Sequence, residues 1–462
     1  MSFFSFFKLK HRRLRAAEGR ALLTLAAPIF TALLAQQSLA FVDTVMAGRV
    51  SAVDLAGVAV GGSLWIPLLL FLYGVLHAIT PLVAQLYGAG RTAECGPLAR
   101  RGLLVALPLV LISIVLLRQA AWVFALMGVE EGIATIAVDY LKAMSWGLPA
   151  VGIFFVLRNL SEGLGLARPS MLIGLASLPV NIFANYLFIY GKLGFPALGG
   201  VGCGWGTAVT LWFMCGCMLL TIRRVGAYTP THFFDLARQR GAQGATQILR
   251  LGLPIGASLL VESSIFALIA LFLAPLGAVA VAAHQITLNY SSLIFMIPLS
   301  LSSAMTIRVG HAVGRGRFDR ARLVSHTGLT LTSLIALVTA ACTLLCAASI
   351  AGLYSRDPQL ILSVVGLLTL NALYQLPDAL QVGAAASLRG YKDTRVPLLL
   401  VVIAYWVISL PLGYTLALTD LWGAPLGARG FWLSLIIGLS VAALLLGGRL
   451  LRVEKSRRAI CL

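Results

Sequence analysis

Twelve apolar runs, each long enough to cross a bilayer, constrain this 462-residue chain more than any other feature. They cover approximately 21–47, 55–79, 98–118, 133–157, 170–190, 200–222, 247–273, 279–304, 324–350, 360–386, 396–418 and 429–449. A helix of about 20 apolar residues spans the hydrocarbon core, so runs of this length read as transmembrane helices. Composition agrees, with 59% hydrophobic and only 11% charged residues, where a soluble chain carries about 25% charged. A β-barrel would show short alternating segments instead. The expected class is an all-α polytopic membrane protein.

Charge distribution sets the expected orientation. The net charge is +19, which in a soluble chain would suggest nucleic acid. Here 29 of the 35 Lys and Arg residues fall in, or within four residues of, the two terminal segments and the even-numbered loops. By the positive-inside rule both termini are cytoplasmic, and the basic surface faces anionic lipid. The opening MSFFSFFKLKHRRLRAAEGR places apolar residues before charge, the reverse of a signal peptide. It reads as an interfacial segment, 1–20. The cysteines are mostly intramembrane and read as packing residues.

The chain repeats itself. Shifted by 226 residues, positions 25–105 match 251–331 without a gap, with 17 of 81 identical. Pro28-Ile29 meets Pro254-Ile255, and the loop GAGR (88–91) meets GRGR (314–317). Twelve helices therefore form two six-helix lobes related by a parallel internal repeat. Such repeats turn about an axis along the membrane normal, with substrate sites near the midplane. The expected divisions are an N-lobe at 21–222, a basic linker at 223–246, a C-lobe at 247–450 and a cytoplasmic tail at 451–462.

The lobes differ in their buried acids. Glu262 sits in LLVESSIFALI (259–269), with no residue of opposite charge within ten positions. About 18 Å of helix separates it from either end of its run. It aligns with Gln36, Asp378 aligns with Ala150, and Asp43 aligns with Ile269. An intramembrane acid costs about 2.5–3.5 kcal/mol even on insertion scales, so it is buried for a reason. Lys142 has a nearer partner in Asp139, one turn away. Glu262 and Asp378 lack an evident intramembrane counter-charge, and a carboxylate pair without a fixed cation can hold a mobile one: Na⁺, H⁺ or an organic ammonium. Proton occupancy and cation occupancy are then coupled. The plain alternative is an acid held protonated and hydrogen-bonded inside the bundle.

Neighbouring residues fit a water-filled site. Asn371, Tyr374, Gln375, Asp378 and Gln381 recur at helical spacing on the tenth run. Gln285, Asn289 and Ser292 do so on the eighth, and Asn181 and Asn185 on the fifth. Phe266, one turn from Glu262, offers a ring to an organic cation. Pro377 removes a backbone hydrogen bond beside Asp378. The chain has no GxxxxGK[ST], HExxH or GxSxG, so no catalytic residues and no enzyme are expected.

FVDTVMAG (41–48), SAVDLAGVAVGGSLWIPL (51–68), LGLPIGASLLVESSIFAL (251–268), AAHQITLNYSSLIFMIPLSLSSAMTIRVGHAVG (282–314) and YQLPDALQVGAAASLRGYKDTRVP (374–397) carry a resemblance. They resemble the MATE family, multidrug and toxic compound extrusion, in its NorM branch, over essentially the whole chain. The resemblance implies a secondary antiporter of the bacterial inner membrane that expels cationic amphiphilic compounds in exchange for Na⁺ or H⁺. By similarity Glu262 and Asp378 bind the cation, acting as Na⁺ ligands where Na⁺ couples. Asp43 matches the N-lobe acid for proton or drug, and Asn181, Asn185 and Thr207 match the polar network around it. Some proton-coupled relatives have an aspartate where Asn185 stands, and its absence favours the C-lobe acids as the coupling centre. With Gln36, Phe266, Gln285, Asn289, Tyr374 and Gln375 these residues make the expected site. No cofactor beyond the coupling ion is implied. Partners are organic cations and membrane lipids, with a monomer and no nucleic acid. A lipid-linked precursor flippase of the same superfamily is the alternative, although it would be expected to line its cavity with arginines.

Overall fold

The structure is a computed structural model that describes residues 3–235, 243–421 and 423–459. Among these it has helices and turns and no strand. Eleven helices are long and apolar enough to span a membrane, and a bent pair makes a twelfth. They are α1 Phe3–Gly48, α2 Ala52–Gly88, α3 Cys95–Arg118, α4 Glu131–Ser145 with Leu148–Gly163, α5 Arg168–Tyr190 and α6 Gly200–Arg224. After them come α7 Gln243–Leu273, α8 Ala278–Gly314, α9 Phe318–Tyr354, α10 Pro358–Gly390, α11 Arg395–Leu418 and α12 Ala428–Ala459.

The apolar runs place all twelve helices but underestimate their length. α1 runs without a break through the segment expected to lie at the interface, and α12 continues through the expected tail to Ala459. Local chemistry accounts for several ends. Ser51 accepts the Asp54 backbone N–H at 3.0 Å and caps α2. The Asp54 carboxylate in turn accepts the Gly200 N–H at 2.6 Å, closing the start of α6. Asp357 caps α10 ahead of Pro358. α4 bends by 50°, and Pro149 follows the break with no N–H to carry the helical ladder across it. α11 is wound wide over Ile403–Ser409, a π-type turn that carries the buried Tyr405.

Packing divides the chain elsewhere than at the expected linker. One compact unit is residues 31–256; the other is 1–30 with 257–462. Both crossings fall inside helices, after Phe30 in α1 and after Gly256 in α7, and they are separated by the repeat's own offset. The first unit has a continuous core that runs from Ala47 to Ile255 and includes Ile248. The second has its own, which begins with Leu22 and Ala26 of α1. Glycine spacing shows why the start of α7 belongs with α2. A Cβ at Gly252 would lie 2.2 Å from the Val75 carbonyl oxygen, and one at Gly256 would lie 3.0 Å from Phe71. The G-x-x-x-G pair lets the two backbones approach closely, which a composition shift in a loop does not reveal.

The first part of the linker is fastened to the 31–256 unit. Arg100 donates through Nη1 to the carbonyl oxygens of His232, at 2.8 Å, and Phe233. The Tyr228 and Ser161 hydroxyls are 2.5 Å apart, and burial raises the Tyr228 hydroxyl above its ordinary pKa. The middle of the linker, 236–242, lies outside the described residues.

Candidate functional site

α7 and α10 bring the C-lobe acids together. Glu262 is half-buried and accepts from Gln381 Nε2 at 3.0 Å. Asp378 is 6% exposed and close enough to Glu262 for the two charges to interact. Tyr374, one turn earlier on α10, lies within electrostatic reach of both. Tyr405 on the wide turn of α11 does too. The remaining amides point their N–H groups elsewhere. Gln375 Nε2 donates to Thr343 Oγ1 at 2.9 Å and to Asn371 Oδ1 at 3.3 Å. Asn371 Nδ2 donates to Ser291 Oγ at 2.8 Å.

Gln375 Oε1 and Gln381 Oε1 are buried with no hydrogen-bond partner among the described residues. Asp378 receives no hydrogen bond from any described residue. Ser291, Pro298, Thr339, Tyr374, Gln375 and Asp378 help to line a cavity of about 20 Å³. A water needs about 10–15 Å³ on this measure, so the space between these side chains has room for one water or one bare ion. Buried polar atoms are nearly always satisfied, and two carboxylates with spare amide oxygens form a ligand set for a hard cation or a proton. No group of three or more His, Cys, Asp or Glu that could hold a metal ion exists among the described residues.

The N-lobe acid is in the opposite condition. Asp43 is 7% exposed. Its Oδ1 accepts from Asn185 Nδ2 at 2.6 Å and its Oδ2 from Thr207 Oγ1 at 2.8 Å. Asn185 also reaches Asn181 Oδ1 at 3.2 Å. Glycine makes this possible, since a Cβ at Gly206 would fall 2.0 Å from Asn185 Oδ1. That explains a glycine of the GVGCGWG run at the start of α6.

Other expected site residues form no hydrogen bond with any of the three acids. Gln36 accepts from Arg158 Nη1 at 3.2 Å. Gln285, Asn289 and Ser292 are on the exposed face of α8, where Asn289 Oδ1 accepts from Tyr354 at 2.9 Å. Their neighbours Ser291 and Tyr290 make the internal bonds, Tyr290 to Thr343 at 2.8 Å. Phe266 packs against the apolar core of its unit. Lys142 and Asp139 pair at 2.9 Å and stay about half exposed.

Two cations escaped the sequence reading. Arg158 and Glu162 form a pair at 2.6 Å with 2% and 1% exposure. Arg158 follows directly on the apolar run that ends at 157, but α4 extends six residues past that end and keeps it inside the helix. The R-x-x-x-E spacing was the available signal. Arg389 lies within electrostatic reach of Glu262, so that acid has a counter-charge after all; α10 extends to Gly390 and carries it there.

Comparison with known proteins identifies the family. The MatE family model matches twice, at residues 28–187 and 254–415, and its two starts are 226 residues apart, the offset of the internal repeat. The chain belongs to the MatE family. It is 43% identical over 433 residues to the multidrug resistance protein NorM of Vibrio vulnificus, covering 94% of this chain and 95% of that one. It is 44% identical over 451 residues to the multidrug resistance protein MdtK of Yersinia pestis, covering 96% and 98%. Its fold matches a MOP superfamily transporter from Pyrococcus furiosus with a TM-score of 0.87 at 20% identity, covering 97% and 98%. A eukaryotic MATE transporter matches at 0.86 and 18% identity, covering 97% and 100%.

Proposed function

We propose that this chain is a multidrug efflux antiporter of the bacterial inner membrane, both termini cytoplasmic, which exports cationic amphiphilic compounds by alternating access in exchange for Na⁺ or H⁺. The observation that carries the reading is the under-bonded oxygen cluster around Glu262 and Asp378. The names of the full-length bacterial relatives support the drug side of the exchange.

The chemistry follows from a shared charge. A cation or proton at Glu262 and Asp378 neutralises the site and weakens its hold on a cationic drug, which leaves outward. When the ion departs to the cytoplasm, the bare carboxylates attract the next drug. Competition for one charge is sufficient to couple the two fluxes, because each ligand opposes binding of the other.

The test is ethidium transport by purified protein in proteoliposomes, with Na⁺ and pH gradients imposed separately. Uptake or release driven by either gradient is expected, and the comparison identifies the ion. A folded, oriented protein that answers to neither gradient would remove the carboxylate-exchange reading and reopen the lipid-flippase alternative.

A further inference from the structure

The turn between α8 and α9 holds a second built site. Arg308, His311, Arg315, Arg317 and Arg320 line a cavity of about 170 Å³ together with Ala312 and Val324. That is below the ~300–1,000 Å³ of clefts that take drug-sized ligands. One acid shapes it from behind. Glu18 of α1 is 1% exposed and divides its two oxygens between Arg308 and, at 3.0 Å, Arg320. Arg315 and Arg317 are exposed and paired with no described acid. Four guanidinium groups against one carboxylate leave a surplus of positive charge.

The backbone adds to it. Gly316 takes a φ of 70°, and Arg317 then stands at the N-cap of α9 without supplying a side-chain cap. The positive end of a 37-residue helix therefore opens beside the arginines, a combination that favours an anion. The first-turn acid Asp319 lines a separate, mixed-charge hollow with Arg322, Glu454 and Lys455.

The other half of the repeat shows that the charge is not a requirement of the turn. Arg317 corresponds to Arg91, but Arg308, His311, Arg315 and Arg320 correspond to Leu82, Gln85, Ala89 and Glu94. Arg91 is held by Glu94 through two hydrogen bonds of 2.6 and 2.7 Å. One turn neutralises its single arginine. The other replaces the partner acid with a further arginine and gathers three more basic side chains.

We propose that the α8–α9 pocket binds a phosphate group, presented by an anionic phospholipid headgroup or by free phosphate. Guanidinium forks match phosphate oxygens in geometry as well as charge. Arg308 and Arg320, aimed by Glu18, form the fixed wall, while Arg315 and Arg317 close over the ligand. The proposal does not depend on the transport reading above.

Native mass spectrometry of the full chain, with phosphatidylglycerol titrated into a phosphatidylcholine background, tests it. Arg315→Gln/Arg317→Gln removes two charges without touching the Glu18 pairs. Arg223→Gln/Arg224→Gln removes the same charge at the end of α6. The wild type and the α6 variant should retain one tightly held phosphatidylglycerol, and the pocket variant should bind it about thirtyfold more weakly, two basic residues at about 1 kcal/mol each. Arg317→Glu alone should lose the adduct. Excess inorganic phosphate distinguishes the sources. Displacement of the lipid with appearance of a phosphate adduct identifies free phosphate as the ligand; a lipid adduct that resists it identifies the headgroup. Equal loss in the pocket and α6 variants, or no tight adduct on the wild type, overturns the proposal.

Discussion

Asp43 and Asp378 are buried to almost the same extent, on a frame that the chain uses twice, yet their surroundings differ in kind. Asp43 has each oxygen met by a neutral donor. Asp378 has no donor among the described residues, and the oxygens of Gln375 and Gln381, one turn to either side, are buried without a partner. At the first site the acid itself is satisfied, and the atoms left without a partner are Asn181 Nδ2 and Asn185 Oδ1. At the second the acid itself lacks a donor. Similar burial therefore leaves two acids with different unfilled hydrogen-bond capacity, and the coupling role proposed for Asp378 rests on that difference.

The fixed cations sharpen the contrast. In the 31–256 unit Arg158 is locked to Glu162 and also reaches Gln36. In the other unit the position of Gln36 is Glu262, which accepts from a neutral amide and has its cation, Arg389, within electrostatic reach. Glu162→Gln should produce the largest loss of stability, about 3–5 kcal/mol, because it leaves a guanidinium buried and unpaired. Thermal or denaturant unfolding of the purified variant measures it, and a change near zero would show that the pair is solvated in the membrane.

Asp378→Asn or Glu262→Gln should leave folding intact and reduce ion-driven ethidium flux by about 30-fold or more, the scale of losing one partner from a buried charged contact. Asp43→Asn should cost less of the ion coupling than either. If Asp43→Asn abolishes coupling while Asp378→Asn preserves it, the comparison is reversed.

Smaller changes refine the same picture. Thr207→Val removes one of the two donors to Asp43 and should lower stability by about 1–3 kcal/mol, seen as a reduced melting temperature with Na⁺ or pH coupling retained. Lys142→Ala breaks an ion pair that is half exposed and should shift stability by less than about 0.5 kcal/mol; a larger shift would mean that the pair reports a buried role.

Much of this was legible in the sequence. Apolar run length set the class, the 226-residue shift set the repeat, and three acids out of place in apolar helices marked both clusters. Asn371, Tyr374, Gln375 and Gln381 were found because a polar stripe at helical spacing shows which face avoids lipid. The same signal on α8 pointed to Gln285, Asn289 and Ser292, whereas Ser291 and Tyr290 make the contacts. A stripe shows that a face is polar and does not say which neighbour it meets. Arg158 and Arg389 were hidden because hydropathy places a helix end where charge begins, and these helices carry charge inward past that point. The crossings inside α1 and α7 were hidden for another reason. They are set by how closely Gly252 and Gly256 allow backbones to approach, which is a property of two segments and not of one.

Those crossings also bear on how the molecule is made. A ribosome releases the chain from its N-terminus, and domains generally fold as units in that order. Here the first thirty residues belong to the unit that is synthesised last. The first unit, for its part, stays unfinished until Gly256 has emerged. Cutting the chain at the linker would therefore not release two self-sufficient halves. Each piece would carry the opening of a helix that the other is built around, and would have to find it again.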